Sequence, residues 1–405
     1  MAAVLAVAVS ACGGSDTASG DSGGSGGPVT ITFAASIFGD PGTGDKMRTM
    51  LDEFNQSQDE VKVEPASVPF QSLAQTVLTQ MAGGLGPDLV RFDTPEYYQA
   101  RDAGLLAPLD IDADEFKLDP STDRYMFDDD KRYGVVFQVN SYGLIYNPDL
   151  VATPPTTFDE FLATAKSTTK DGVYGAAFRT TLPEEAGMWQ DLCNFVYGFG
   201  GNFSDGKKLT LNSPEVIEGL NAFQEVYDSG VMPQGATASN YRTMFAEGKL
   251  AMMFDSAGLV NTLRGINPNL SIDAAPIPLP ERRQGEVLPV AVVNAASKHQ
   301  EAAETFLEWM LTPESQDKLE DVVTAGAAAV TPVRSEAELQ AAPFIPVFDE
   351  LIASSEPQVI PGFEAKTPAV RKIIVEQVVK ALQEHGDMES AMDAAQEQAQ
   401  AAVSG

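Results

Sequence analysis

Two amides and a hydroxyl, Gln138, Asn140 and Ser141, stand inside a long apolar stretch, and each can both donate and accept hydrogen bonds. Before them Tyr133-Gly134-Val135-Val136-Phe137 reads as a buried strand; after them Gly143-Leu144-Ile145-Tyr146 resumes one, and Asn147-Pro148 stops it. Polar groups set down at a crossing between two buried segments mark where a cleft is expected. Groups that break bonds are less well placed. Gly20-Asp21-Ser22-Gly23-Gly24 frames a serine as serine proteases do, but a nucleophilic serine needs a folded site and a histidine base. This one lies in Gly/Ser repetition with no barrel before it, so the protease is rejected. Paired carboxylates for glycoside hydrolysis stay open, because 58 acidic residues supply many candidate pairs.

Metal and redox chemistry find little support. His299 and His385 are far apart and sit in no ligand spacing. Asp110-Ile111-Asp112-Ala113-Asp114-Glu115 starts like a calcium loop but has Glu where the sharp-turn glycine belongs and Ser121 at the closing acid position, so it is read as a solvated acidic turn. The only cysteines are Cys12 and Cys193. A disulfide framework is therefore not expected, and Cys193 reads as a small buried residue. Neither a dinucleotide fingerprint nor a phosphate-cradling loop appears, and no cofactor or metal is expected.

The elements that would position a cleft alternate from the start. Val29, Ile31 and Phe33 give a first strand, and Met47, Met50, Leu51 and Phe54 a helix stripe. Val61-Lys62-Val63 is a second strand, and Leu73, Val77, Leu78 and Met81 line a second helix, followed by a strand at 87–92. That order predicts a parallel sheet covered by helices on both faces. Further on, Thr157-Phe158-Asp159-Glu160 is a capping box, Ser213-Pro214-Glu215 and Thr312-Pro313-Glu314 open helices, and Gly248 stops one before a strand that ends at Asp255. Val370, Ile374, Val378 and Leu382 mark a long helix closed at Gly386, and an Ala/Gln/Glu-rich segment without a strong stripe trails behind it.

At 405 residues the chain suits two or three domains better than one. A net charge of -32 with no basic cluster excludes nucleic-acid binding. Residues 1–11 are small and apolar, and Val9-Ser10-Ala11-Cys12 resembles a bacterial lipobox, which implies cleavage before Cys12 and a lipid on its thiol. The absence of Lys or Arg ahead of it implies that the true start lies upstream of Met1. Residues 1–12 are thus a signal remnant, and 13–28, almost wholly Gly, Ser, Asp, Thr and Ala, a flexible tether.

Four ordered blocks together resemble the family 1 extracellular solute-binding proteins, the group that contains maltose and other sugar receptors of ATP-driven importers. They are Gly86-Pro87-Asp88-Leu89-Val90 with Gly104-Leu105-Leu106-Ala107-Pro108-Leu109; the crossing from Tyr133-Gly134 to Asn147-Pro148; Pro155-Thr156-Thr157-Phe158-Asp159-Glu160; and Phe245-Ala246-Glu247-Gly248-Lys249-Leu250-Ala251-Met252. The resemblance covers nearly the whole chain after the tether. It implies an α/β, two-lobed periplasmic-binding-protein type II fold, with hinge crossings between discontinuous lobes. One lobe would take 29–138 and 291–344, the other 139–290 and 345–405. On the family pattern, the ligand residues are Asp93, Asn140, Trp189, Asp255 and Ser256, with Ser36, Asp40, Gln71 and Phe363 behind them. The sequence has few aromatic platforms, with Asp255-Ser256-Ala257-Gly258-Leu259 where many sugar receptors place one. A monosaccharide, disaccharide or polyol is therefore expected rather than a long oligosaccharide.

The leading function is that of a monomeric, lipid-anchored receptor on the outer face of the bacterial cell membrane, not an enzyme. It would capture a small carbohydrate or polyol by hinge closure and pass it to the transmembrane subunits of an ABC permease. A secreted carbohydrate-active hydrolase using an Asp/Glu pair and a receptor for another small polar solute stand beside it as alternatives.

Overall fold

The computed structural model describes residues 27–323 and 336–403. Cys12 and most of the 13–28 tether lie outside the described residues. Two sheets organise the rest. In the first, the strands run in spatial order Val61–Ser67, Val29–Ala35, Leu89–Phe92, Val290–Val293 and Val135–Val136. The first three are parallel, with Val29 opposite Val61 and Phe33 opposite Leu89; Val290–Val293 returns antiparallel, with Val290 opposite Phe92. The expected strand-helix alternation builds this unit: helices Thr43–Ser57 and Phe70–Ala82 bury the predicted stripes, Met47, Met50, Leu51 and Phe54 on one and Leu73, Val77 and Met81 on the other. Separate apolar clusters cover the two faces of the sheet, which explains the near-continuous apolar runs of its strands.

The second sheet runs Ser355–Pro357, Gln284–Val287, Asn140–Tyr146, Leu250–Ser256 and Tyr174–Ala177, with Asp273–Ala275 also paired to Asn140–Tyr146. Its largest core is aromatic: Phe178 and Phe254 meet edge-on at 4.9 Å, and Phe195 meets Phe178 at 5.2 Å. Helix Phe158–Thr168 packs onto strand Tyr174–Ala177 so closely that a Cβ on Gly175 would lie 2.0 Å from the Ala165 carbonyl oxygen.

The chain passes between the sheets at 137–139, after Val135–Val136 leaves the first and before Asn140–Tyr146 enters the second. It returns at 288–289, between Gln284–Val287 and Val290–Val293. The two passages are bonded to each other, Phe137 N donating to Pro289 O at 2.9 Å. Asn140 and Ser141, expected as a polar break, are strand residues of the second sheet, so the crossing is shorter than the sequence suggests. Val290 already belongs to the first sheet, one residue before the expected boundary. Ala342 and Phe344, assigned to the first lobe from sequence, pack with Tyr241, Phe245 and Phe348 beside the second sheet.

Local signals differ in small ways. Thr157 caps its helix by accepting from Glu160 N, but the Glu160 carboxylate bonds Thr156 N and Oγ1 rather than completing the box at Thr157. Helix Thr367–Glu384 is closed by His385 in the left-handed conformation at φ 52°, not by Gly386. The trailing segment is helix Met388–Val403, whose stripe is built of small residues, Ala391, Ala395 and Ala399, with Met388 and Met392.

Candidate functional site

A cavity of about 320 Å³ lies between the two halves. It sits past the ends of strands Val29–Ala35 and Leu89–Phe92 and at the polar end of Leu250–Ser256, the position where open α/β sheets present loops to ligands. The first half contributes Ser36 and Asp40 around the short turn Ser36–Gly39, Phe70 and Gln71 from the start of a helix, and Arg91 and Asp93 around a strand end. The crossing adds Gln138. The second half brings Arg179, Glu184, Gln190, Arg242, Asp255 and Ser256.

The second half's wall is an arginine and carboxylate lattice. Arg242 reaches Asp255 Oδ2 through Nη2 at 2.9 Å and Nε at 3.3 Å, while Asp255 Oδ1 accepts from Ser256 N at 2.9 Å. Beneath it, Arg179 is 3% exposed and bonds both oxygens of Asp191, through Nη1 at 2.9 Å and its backbone N at 2.8 Å. Arg179 Nη2 also lies 4.0 Å from Asp255 Oδ2. Such forks hold the donors rigid, so the outward face of Arg242 meets a guest without reorganising.

Across the cavity, Arg91 makes no ion pair among the described residues. Its Nη2 donates to Gln138 Oε1 at 3.3 Å, its guanidinium lies 5.1 Å from the Phe137 ring centroid, and its buried Nε has no partner. Burial works against its charge, and nearby Asp93 and Asp40 support it. Asp93 accepts from Gln190 at 3.3 Å, and burial pushes its carboxyl up to about 6 despite Arg91. A buried carboxylate with spare lone pairs beside a fixed guanidinium suits neighbouring hydroxyls of a polyhydroxylated guest.

The halves touch along both rims. On one side Gln71 donates to Glu184 at 3.5 Å and Gln190 to Asp93 at 3.3 Å. On the other, Asn261 Nδ2 donates to the carbonyls of Asp321 and Val322 at 2.9 and 3.1 Å, and the hydroxyls of Thr43 and Thr262 meet at 3.3 Å. A Cβ on Gly265 would come within 3.0 Å of the Pro41 carbonyl, so that rim depends on a residue without a side chain.

Of the residues expected at the site, Ser36, Asp40, Gln71, Asp93, Asp255 and Ser256 line the cavity; Asn140, Trp189 and Phe363 do not. Asn140 is fully buried in its strand, and neither side-chain atom has a partner. Trp189 is a core residue of helix Glu185–Gly198 rather than a loop platform. It is 1% exposed, its Nε1 donates to Gln358 O at 2.9 Å, and its ring lies 4.6 Å from that of Phe203. Phe363 packs half-buried against the same core. Asp112 of the acidic turn accepts from Asp114 N and Glu115 N and caps a one-turn helix, and no cluster of metal-ligand side chains occurs among the described residues. The residues missed are Phe70, Arg91, Arg179, Gln190 and Arg242, while Gln138, read from sequence as part of the polar crossing, does line the cavity. A charged residue inside the apolar Leu89-Val90-Arg91-Phe92 run is the signal that could have found Arg91, since a strand buried on both faces gives no reason for an arginine.

Two lobes threaded repeatedly by one chain and meeting over a polar hollow define a ligand receptor. Residues 40–317 match the model of the bacterial extracellular solute-binding protein family, and the chain belongs to that family. Among solved structures, an ABC substrate-binding protein of Listeria monocytogenes in complex with cycloalternan aligns with a TM-score of 0.80 at 21% identity, covering 93% of this chain and 99% of that one. The maltose/maltodextrin-binding domain from Bdellovibrio bacteriovorus bound to maltotriose gives 0.80 at 20% identity, over 93% and 100% of the two chains. The fold is therefore the two-lobed, maltose-binding-protein type. By sequence, the galactooligosaccharide-binding protein of Bacillus subtilis is 23% identical over 75% of this chain and 73% of its own length. A binding protein of Brucella abortus is 27% identical over 60% of this chain, which spans only 62% of that relative's length. Among the described residues no helix is long and apolar enough to cross a membrane.

Proposed function

We propose that this protein is the extracytoplasmic receptor of an ABC importer, taking a carbohydrate into the cleft, closing over it, and releasing it unchanged to the transmembrane subunits of a permease. The observation that carries this is the hollow itself: rigid arginine and carboxylate forks on one wall, Asp93 and Arg91 on the other, and the Phe70 ring, 37% exposed, at the edge. Amides, carboxylates and guanidinium groups pair with vicinal hydroxyls, and an exposed aromatic face takes the C–H side of a sugar ring. Membership of the solute-binding family and relatives named for galactooligosaccharide and maltotriose binding support the carbohydrate class. Of the ligand residues expected from sequence, Asp93, Asp255, Ser256, Ser36, Asp40 and Gln71 keep that role. Asp255 acts chiefly by holding Arg242.

A thermal-shift screen over sugars and polyols tests the proposal. A saturating ligand raises the melting temperature through linkage, and a flat response across the panel contradicts a carbohydrate receptor. Lipidation at Cys12 would hold the receptor, as a monomer, at the outer face of the membrane near its permease. Replacing Cys12 with Ser is then expected to move the protein from the membrane fraction into the medium, and unchanged membrane retention would count against the anchor.

A further inference from the structure

The charges around the cleft do not cancel. Four carboxylates, Asp40, Asp93, Glu184 and Asp255, line it together with three guanidinium groups, Arg91, Arg179 and Arg242. Arg242 is held by Asp255, and Arg179 is held by Asp191 beneath the wall. That leaves Asp40, Asp93 and Glu184 facing Arg91 alone, three carboxylates against one guanidinium among the described residues that line the cavity. The space beyond Phe70 adds to the excess, because Arg371 answers Glu96 at 2.8 Å and Glu185 at 2.5 Å with a single positive charge.

Two of these carboxylates have bonding capacity to spare. Asp93 precedes helix Thr94–Asp102, the position from which an aspartate ordinarily accepts from the helix's own first N–H groups, yet it makes no such bond. Glu184 likewise makes none to helix Glu185–Gly198, which it precedes. Asp93 Oδ2 accepts from Gln190 at 3.3 Å, and Glu184 Oε2 accepts from Gln71 at 3.5 Å and from Ala238 N at 3.2 Å. The other oxygen of each carboxylate accepts from no group among the described residues. Burial pushes the Asp93 carboxyl up to about 6 and raises that of Asp40, with Arg91 offsetting the rise at both only in part. Gln138 carries a signal of the opposite kind. It is 5% exposed and lines the cavity, and while its Oε1 accepts from Arg91, its Nε2 donates to no group among the described residues. A buried amide donor at the edge of a hollow requires an oxygen from whatever fills it.

We propose that the guest is an amino sugar, its protonated amine held by Asp93 and Glu184 on facing halves of the cleft while one of its hydroxyl oxygens accepts from Gln138. This rests on the carbohydrate reading and narrows it to a cationic class. A neutral sugar enclosed here would seal the excess negative charge away from water, whereas an ammonium group offsets part of it and donates three hydrogen bonds to oxygens that lack them. A simple polyamine would answer the charge, but it offers no oxygen to Gln138 and no ring face to Phe70. The chain's net charge of -32 acts in the same direction, drawing a cation toward the cleft.

Isothermal titration at pH 7 tests the inference by comparing glucose, galactose and mannose with their 2-amino and 2-acetamido derivatives, and cellobiose with the chitosan and chitin disaccharides. In whichever series binds, the free amine is expected to bind about tenfold tighter or more than both the parent sugar and the acetamide, which keeps the nitrogen without the charge. Asp93→Asn and Glu184→Gln, which keep shape and remove charge, should each bring that ratio to within about threefold. The wild-type ratio decides the matter by itself if either variant disturbs folding. An amine that binds no better than its neutral counterparts, or a preference that survives both variants, overturns the amine site while leaving a carbohydrate receptor intact. So does a neutral sugar that raises the melting temperature in the thermal-shift screen while every amine fails to bind. No binding by any of these sugars, together with a flat thermal-shift screen, overturns the carbohydrate reading and this inference with it.

Discussion

Asp93 is the residue whose protonation most directly touches recognition. Burial raises its carboxyl to about 6, so at neutral pH it is an ionised acceptor in the wall of the cleft, and below pH 6 it is protonated and loses acceptor capacity. Ligand affinity measured by titration calorimetry is expected to fall about tenfold between pH 7.5 and pH 5, the worth of one hydrogen bond to a charged group. Asp93→Asn should be weaker at pH 7.5 and nearly flat with pH, and an unchanged wild-type profile would remove Asp93 from the ligand contacts. Trp189 makes the opposite case. The polar Glu184, Glu185 and Gln190 around it suggest a ligand-side platform, yet those residues face the cleft while the indole turns into the core. A helix with one face on a cleft and one on a core looks polar in any short window, which hides the side its tryptophan takes. Trp189→Ala is therefore expected to lower urea-unfolding stability by about 3 to 5 kcal/mol, with any loss of affinity following from that instability.

At the scale of elements, periodicity and caps carried most of the fold. The stripe of helix Thr43–Ser57, the caps at Thr157, Ser213 and Thr312, and the Gly248 stop all stand where local chemistry demands them. The fold departs from the sequence pattern where tertiary partners satisfy polar residues that the sequence leaves looking exposed. Ser141 sits inside a fully buried strand because its hydroxyl donates to Phe348 O at 2.7 Å, a partner 207 residues away that no local pattern reveals. The arginines of the site were hidden for the same reason, since Arg179 and Arg242 gain their meaning from Asp191 and Asp255. Glycines were legible as turns but not as contacts. Gly175→Ala would drive a methyl into the backbone of the helix that covers its strand, and should cost about 3 kcal/mol or prevent folding, measured by denaturant unfolding. A loss below about 1 kcal/mol would mean that this helix and strand are less tightly joined than described.

For the whole molecule, the decisive feature is that two sheets share one chain, which passes between them at 137–139, at 288–289 and again between Val323 and Ala342. Beside the second passage Glu286 is 6% exposed, and burial lifts its carboxyl to about 7, with Arg124 of the other half opposing the rise and Asp119 adding to it. A carboxyl raised in the folded state favours folding below its unfolded value near 4.5 and loses that contribution as pH climbs through 7. The contribution of Glu286 to stability should accordingly drop by about 2 kcal/mol between pH 5 and pH 8, and Glu286→Gln should make the pH dependence of stability shallower by about that amount, as followed by urea midpoints. Whether the guest is gripped between the halves is decided by a crystal structure grown with the saccharide that gives the largest thermal shift. Sugar density enclosed between the halves, with Asp93 and Phe70 on one side and Arg242 on the other, is the predicted result. Density on the outer surface of one half, with the hollow holding only solvent, would contradict it.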